Sequence, residues 1–160
     1  MKYLSSLTVA NWFLFKNPNS TVMRLQRLTY FSHCWCLALY NEPLVDEFVT
    51  AFNYGPVFLS IYDSAKEYGS GPVEIPLSES LRQPPILESQ DPRILLLLRI
   101  QEVYGSYSDS QLSRLATEKD GPWSTTINNP SGRKNPYIDE NLIISYFRTK
   151  MQNDNQTTDD

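Results

Sequence analysis

The one histidine of the chain, His33, lies in the run His33-Cys34-Trp35-Cys36 beside both of its cysteines, so base, nucleophile and metal-ligand types crowd into four residues. Structural zinc takes four Cys or His ligands, and this run, which holds every Cys and His in the sequence, falls one short. On a helix, residues two apart point to nearly opposite sides, so Cys34 and Cys36 cannot bridge without breaking it. They read as free thiols, buried or half-buried in the manner of small hydrophobes. A hydrolytic triad would need His33 as its base, yet the residue sits beside Trp35 in an apolar helical stretch. Glu42, Asp46 and Glu47 offer carboxylates for general acid–base work. A solvated helix terminus, where the dipole favours negative charge, accounts for them better. Nothing matches a zinc-protease helix, a phosphate-binding loop or a dinucleotide fingerprint. The expectation is a binding protein with no catalytic, cofactor-binding or metal-binding residues.

Bulk properties bound the alternatives. The chain has 160 residues, enough for one domain with a real core, and its 41% hydrophobic and 20% charged residues exclude wholesale disorder. A net charge of -4, with only the short pair Arg133-Lys134 as a basic run, gives no electrostatic reason to expect nucleic acid as a partner. The longest aliphatic run, Ile94 to Leu98, is far below the roughly 18 residues that cross a bilayer. The amino terminus has apolar residues interrupted by Ser5, Ser6, Thr8 and Asn11, which is unlike a signal peptide. No membrane contact is expected, and the cytoplasm is the expected location.

The elements that must position any site read as helical blocks between Pro, Gly and Asn signals. A first block, about Leu4 to Phe15, ends at Lys16-Asn17-Pro18-Asn19. The second starts at Ser20 or Thr21, either an N-cap, and carries Leu25, Leu28, Phe31, Trp35 and Leu39 on one face until Asn41-Glu42-Pro43 breaks it. A short third helix with Phe48, Ala51 and Phe52 on one side would stop at Gly55, and Pro56 would open a fourth running to Tyr68. Asp91-Pro92 starts a fifth, apolar nearly all round and so expected at the centre of the bundle. Ser108 to Gln111 has capping-box spacing, Asp120-Gly121-Pro122-Trp123 starts another helix, and Leu142, Ile143, Tyr146 and Phe147 face inward on the last. The fold class is all-α: about seven to eight short helices, with room for one short strand or hairpin near 71–78. Residues 1–150 form the domain, and 151–160 read as a disordered polar tail.

Candidate partner-binding residues follow from this layout. Arg24 and Arg27, one turn apart, are either a solvated edge or an anchor for an acidic partner group. Tyr54 and Pro56 mark a corner that is structural or presents an aromatic beside a rigid turn. Trp123 belongs to the core or to an interface, where Trp and Tyr are enriched. Ten tyrosines would suit an adaptable binding surface.

Several blocks, in order, resemble one family. Ala10-Asn11-Trp12-Phe13-Leu14 resembles its opening helix, and Arg24-Leu25-Gln26-Arg27-Leu28-Thr29-Tyr30-Phe31 resembles its LQKLLYF motif. Glu42-Pro43-Leu44 and Glu47 through Val57, ending Asn53-Tyr54-Gly55-Pro56-Val57, look like its A-W-x-x-G-P-V segment. Ile61-Tyr62, Tyr68-Gly69, Val103-Tyr104-Gly105, Leu112, Leu115, Pro122-Trp123 and Ile138 through Phe147 follow. The sequence is similar to the Panacea (SocA-like) antitoxin domain, also met in phage-associated, GepA-like proteins. The resemblance implies an antitoxin that binds and neutralises a cognate protein toxin encoded by a neighbouring gene, with a protease as a further partner in the adaptor-like members. The alternative it permits is a helical adaptor or host-interaction protein, phage-associated or secreted. Three departures stand out: Phe52 replaces the family's Trp, Arg27 replaces its Lys, and Ala116-Thr117 stands where a Thr-His is common. If that histidine has a function, this chain lacks it.

Overall fold

The second helix organises everything else, and its ends follow from local chemistry. In the computed structural model, which describes residues 3–80, 82–129 and 132–157, the Thr21 hydroxyl accepts from the Arg24 N–H at 3.1 Å and starts helix α2, Val22–Tyr40. Asn41 closes it in the left-handed conformation, φ 57°, where its amide tolerates what most side chains avoid. From Leu25 to Cys34 every residue of α2 is buried, polar ones included. Helix α1, Ser6–Lys16, starts on the Ser5 hydroxyl and packs along α2.

Between them and the later helices lies a small hairpin. Strands β1, Thr50–Phe52, and β2, Gly55–Val57, pair antiparallel with Phe52 opposite Gly55. The free edge of β1 is covered by the segment before the last helix: Ala51 N–H reaches the Pro136 carbonyl at 2.8 Å, and Ile138 N–H the Val49 carbonyl at 2.9 Å. Helix α3, Leu59–Ala65, leads into a 3-10 turn at Lys66–Tyr68. The irregular stretch beyond is pinned to α1. The Asn11 side-chain amide exchanges two hydrogen bonds with the Leu77 backbone at 2.9 and 2.7 Å, and the Thr8 hydroxyl donates to the Pro85 carbonyl at 2.8 Å.

Helix α4, Arg93–Tyr104, is followed by α5, Asp109–Ala116, which opens on the full capping box of Ser108 and Gln111. Helix α6, Pro122–Asn128, has proline in its first turn, and α7 runs Glu140–Thr157. Packed on α2, helices α4 and α7 complete an aromatic core. Phe31 stacks on Tyr104 with ring centroids 4.3 Å apart, and Phe147 meets Trp35 edge to face at 5.1 Å. The Trp35 indole donates to the Tyr104 hydroxyl at 2.8 Å, so the polar ends of these two rings satisfy each other. Burying a ring such as Phe147 contributes about 2–3 kcal/mol.

The fold is mostly helical, with seven helices and one two-stranded hairpin among the described residues. Four expectations need correction. The hairpin lies at 50–57 and not near 71–78; the helix expected there, and the corner between two helices at Gly55-Pro56, are strand and turn. Residues 71–78 form no strand pair, although Val73 N–H bonds the Ser20 carbonyl at 2.8 Å. The central helix is α2. Only Leu96, Leu97, Ile100 and Tyr104 of α4 turn fully inward, and Leu95 is 73% exposed. The tail read as disordered over 151–160 is helical as far as Thr157; residues 158–160 lie outside the described residues.

Candidate functional site

Arg27 sits on the face of α2 that meets the hairpin, and it is 1% exposed. Its Nη1 donates to the Pro56 carbonyl at 2.6 Å, its Nη2 to the Tyr54 carbonyl at 3.1 Å, and its Nε to the Ser113 hydroxyl at 3.4 Å. No carboxylate among the described residues lies within ion-pairing distance of it. Burial pulls the guanidinium down to about 10, so it stays charged at neutral pH. A buried cation is costly unless dipoles replace its water, and here the dipoles are the carbonyls of the turn.

Gly55 makes the arrangement possible. Its φ of 143° lies in the region glycine favours, and a Cβ there would fall 2.8 Å from Cζ of Arg27. Beside Arg27, the Gln26 side-chain amide accepts from Phe58 N–H at 2.9 Å and donates to the Phe58 carbonyl at 3.1 Å. Two adjacent polar residues of one helix thus hold both the turn and the residue after β2.

The outer side of the hairpin is aromatic. The Trp123 indole, from the first turn of α6, donates to the Phe52 carbonyl at 2.7 Å. Phe52 in turn meets Tyr54 and Tyr62 edge to face, with centroids 5.6 and 5.3 Å away. Tyr54 is 54% exposed, and Met23 and Tyr62, which line the same groove, are exposed too. A groove of about 400 Å³ separates α2 from the hairpin and α3; Met23, Arg27, Tyr54, Tyr62, Lys66 and Asp109 line it.

Four of the candidates, Arg27, Tyr54, Pro56 and Trp123, therefore come together on the hairpin. Arg24 does not join them. Its Nε meets Asp109 Oδ1 at 3.0 Å, and its other nitrogens reach the Gly105 carbonyl at 3.3 Å and the Tyr107 carbonyl. Neither arginine is a solvated edge: one is buried under the turn, and the other ties α2 to the α4–α5 loop. Glu47, expected at a helix terminus of its own, instead accepts from Ser60 N–H at 3.3 Å and from the Ser6 hydroxyl, supplying the α3 cap that Phe58 cannot. Glu42 and Asp46 are exposed.

His33 is buried, and its Nδ1 accepts from the N–H groups of Leu44 and Val45 at 3.3 and 3.4 Å, which puts the ring proton on Nε2. Nε2 has no hydrogen-bond partner among the described residues, and the ring stands perpendicular to Phe58 at 5.6 Å. Cys34 and Cys36 are both free and buried, and burial raises both thiols. Among the described residues no group of three His, Cys, Asp or Glu could hold a metal, and no helix is long and apolar enough to cross a membrane.

Sequence reasoning missed Gln26 and the reason for Gly55. The signal for Gln26 was a polar residue beside Leu25, with Leu28 two residues on, in a segment buried all round.

Residues 25–124 match the family model described as Antitoxin SocA-like, Panacea domain. The chain belongs to this family. No curated protein and no solved structure matches it. The Panacea segment contains Gln26, Arg27, the hairpin, α3 and Trp123, so the clamped hairpin falls inside the matched residues, while Met23 of the groove lies just before them. The helices α1 and α7 fall outside them.

The departures from the Panacea pattern now have positions. Arg27, where the motif has Lys, uses its planar fork to reach two carbonyls at once, a geometry that a single ammonium does not reproduce. Phe52 keeps an aromatic ring against Tyr54 and Tyr62. Thr117, at the histidine's place, ends α5 with its hydroxyl on the Ser113 carbonyl at 2.7 Å.

Proposed function

We propose that this Panacea-domain protein is an antitoxin that neutralises a cognate protein toxin by direct binding, acts in the cytoplasm and catalyses no reaction. One observation carries the reading. The hairpin is clamped from below by Arg27 and from outside by Trp123, and it holds the exposed ring of Tyr54 on a backbone hydrogen-bonded from both sides. Rigid aromatic anchors surrounded by exposed apolar side chains are what protein interfaces use, because little side-chain entropy is lost on docking. The titratable groups near the hairpin have structural roles: Arg27 holds carbonyls, Glu47 caps α3 and Asp109 pairs with Arg24.

Co-expression with the product of the adjacent gene is the test. That product should arrest growth alone, growth should return with this protein present, and the two should purify together. Tyr54→Asp should abolish both rescue and complex while the variant remains folded. A harmless neighbour, or rescue without a complex, overturns the proposal.

A further inference from the structure

We infer that the groove between α2, the hairpin and α3 captures one acidic side chain of the bound protein, an Asp or Glu carboxylate, on the guanidinium of Arg27. This rests on the reading that the protein works by binding another protein, and it names the chemistry of that contact. A guanidinium has five N–H donors. Arg27 uses three, all on neutral oxygens, and the one to Ser113 is long at 3.4 Å. The two remaining N–H groups and the full positive charge have no anionic partner among the described residues.

The acid that shares the groove cannot supply one. Asp109 already accepts from Arg24 at 3.0 Å and from the Thr21 hydroxyl at 2.6 Å. The walls are Val22, Met23, Tyr54, Tyr62 and Ala65, largely apolar surface beside a charge, where an ion pair is far stronger than in water. Met23 is 41% exposed and unbranched, a wall that can move aside for an entering side chain. At the rim, Lys66 adds a second cation whose own acid, Asp63, is 4.0 Å away with both side chains exposed.

Charge also sets the class of anion. One buried cation is balanced by one negative charge. A phosphate would bring nearly two, next to Asp109. The space, about 400 Å³, takes a side chain with its neighbours, and the flanking Tyr54 and Tyr62 rings suit the apolar residues around an acid in a protein segment.

The probe is the peptide Ac-Phe-Glu-Leu-NH2 beside its Gln counterpart, titrated into the full chain with arginine side-chain nitrogens observed by NMR. The Glu peptide should saturate the Arg27 Nε–H signal at a dissociation constant at least fivefold below that of the Gln peptide. Lys66→Glu, an exposed change that leaves the fold intact, should weaken the Glu peptide at least threefold. Equal response to the two peptides, no response, or saturation by inorganic phosphate at lower concentration overturns the inference. The toxin separates this inference from the reading beneath it. A toxin complex that forms as tightly with Lys66→Glu as with the natural chain overturns the groove assignment and leaves the antitoxin standing. Glu-selective capture without any toxin complex supports the groove and overturns the antitoxin.

Discussion

Gly55 leaves by its missing side chain the space that Arg27 fills, since a Cβ on Gly55 would lie 2.8 Å from the guanidinium carbon. Gly55→Ala therefore meets two penalties, the φ of 143° and the displaced arginine. The expected cost is about 2–4 kcal/mol in urea unfolding. Adding Arg27→Leu should remove part of the steric share, so the two changes together should cost less than their sum. Additive costs would show that the two residues do not share that space.

Arg24 joins α2 to the loop before α5 through Asp109, with the Thr21 hydroxyl on the same carboxylate. Arg24→Ala should cost about 1–2 kcal/mol, because the pair is partly buried and multiply bonded. The loss should shrink at 1 M salt, where the charge contribution of the pair is screened. A variant as stable as the natural chain at low salt would contradict this.

His33 links stability to pH. Burial lowers its pKa from 6.5 to about 4, so the folded chain holds the neutral ring where the unfolded chain binds a proton. A lowered folded pKa gives stability that is complete above about pH 6.5 and is lost as pH falls toward 4, up to roughly 3 kcal/mol. His33→Asn keeps an acceptor for the Leu44 and Val45 N–H groups and should flatten the pH 6.5–5 part of the profile. An unchanged slope there would assign it to other groups.

Tyr54 and Trp123 should separate binding from folding. The Tyr54 contact with Arg27 is made by its backbone carbonyl, which Tyr54→Ala retains, so stability should change by about 0.5 kcal/mol or less. Trp123→Phe loses the donor to the Phe52 carbonyl and should cost about 1 kcal/mol. Tyr54→Ala should weaken the toxin complex more than Trp123→Phe does, measured by calorimetric titration. The reverse order would move the contact away from the hairpin tip.

The parts of the fold that were legible are those with local chemistry of their own. Thr21, and Ser108 with Gln111, satisfy backbone N–H groups at a helix start within a few residues, Pro122 removes one from the first turn of α6, and each was readable. The hairpin was not. Phe48, Ala51 and Phe52 happen to fall at helical spacing, and strands of 3 residues are too short to show alternation. Its turn residues, Asn53 and Tyr54, do not take the positive φ that the Asn-Gly signature advertises. Arg27 was hidden for a different reason: charge marks a surface only when no distant segment brings carbonyls to it, and Pro56 is 29 residues away. The apolar run on α4 misled in the opposite direction. Its five consecutive apolar residues cannot all face one neighbour, and α2, with polar residues inside it, took the centre.

Phe147 and Arg148 of α7 close over α2, one against Trp35 and the other donating its Nε to the Ala38 carbonyl at 2.9 Å, across 110 residues of chain. During synthesis the aromatic face of α2 therefore leaves the ribosome long before its cover exists. At about 5–20 residues per second that interval lasts several seconds. A nascent chain in that interval offers Tyr30, Phe31 and Trp35 to whatever apolar surface it meets, so translation speed and chaperone access bear on how much of the protein matures.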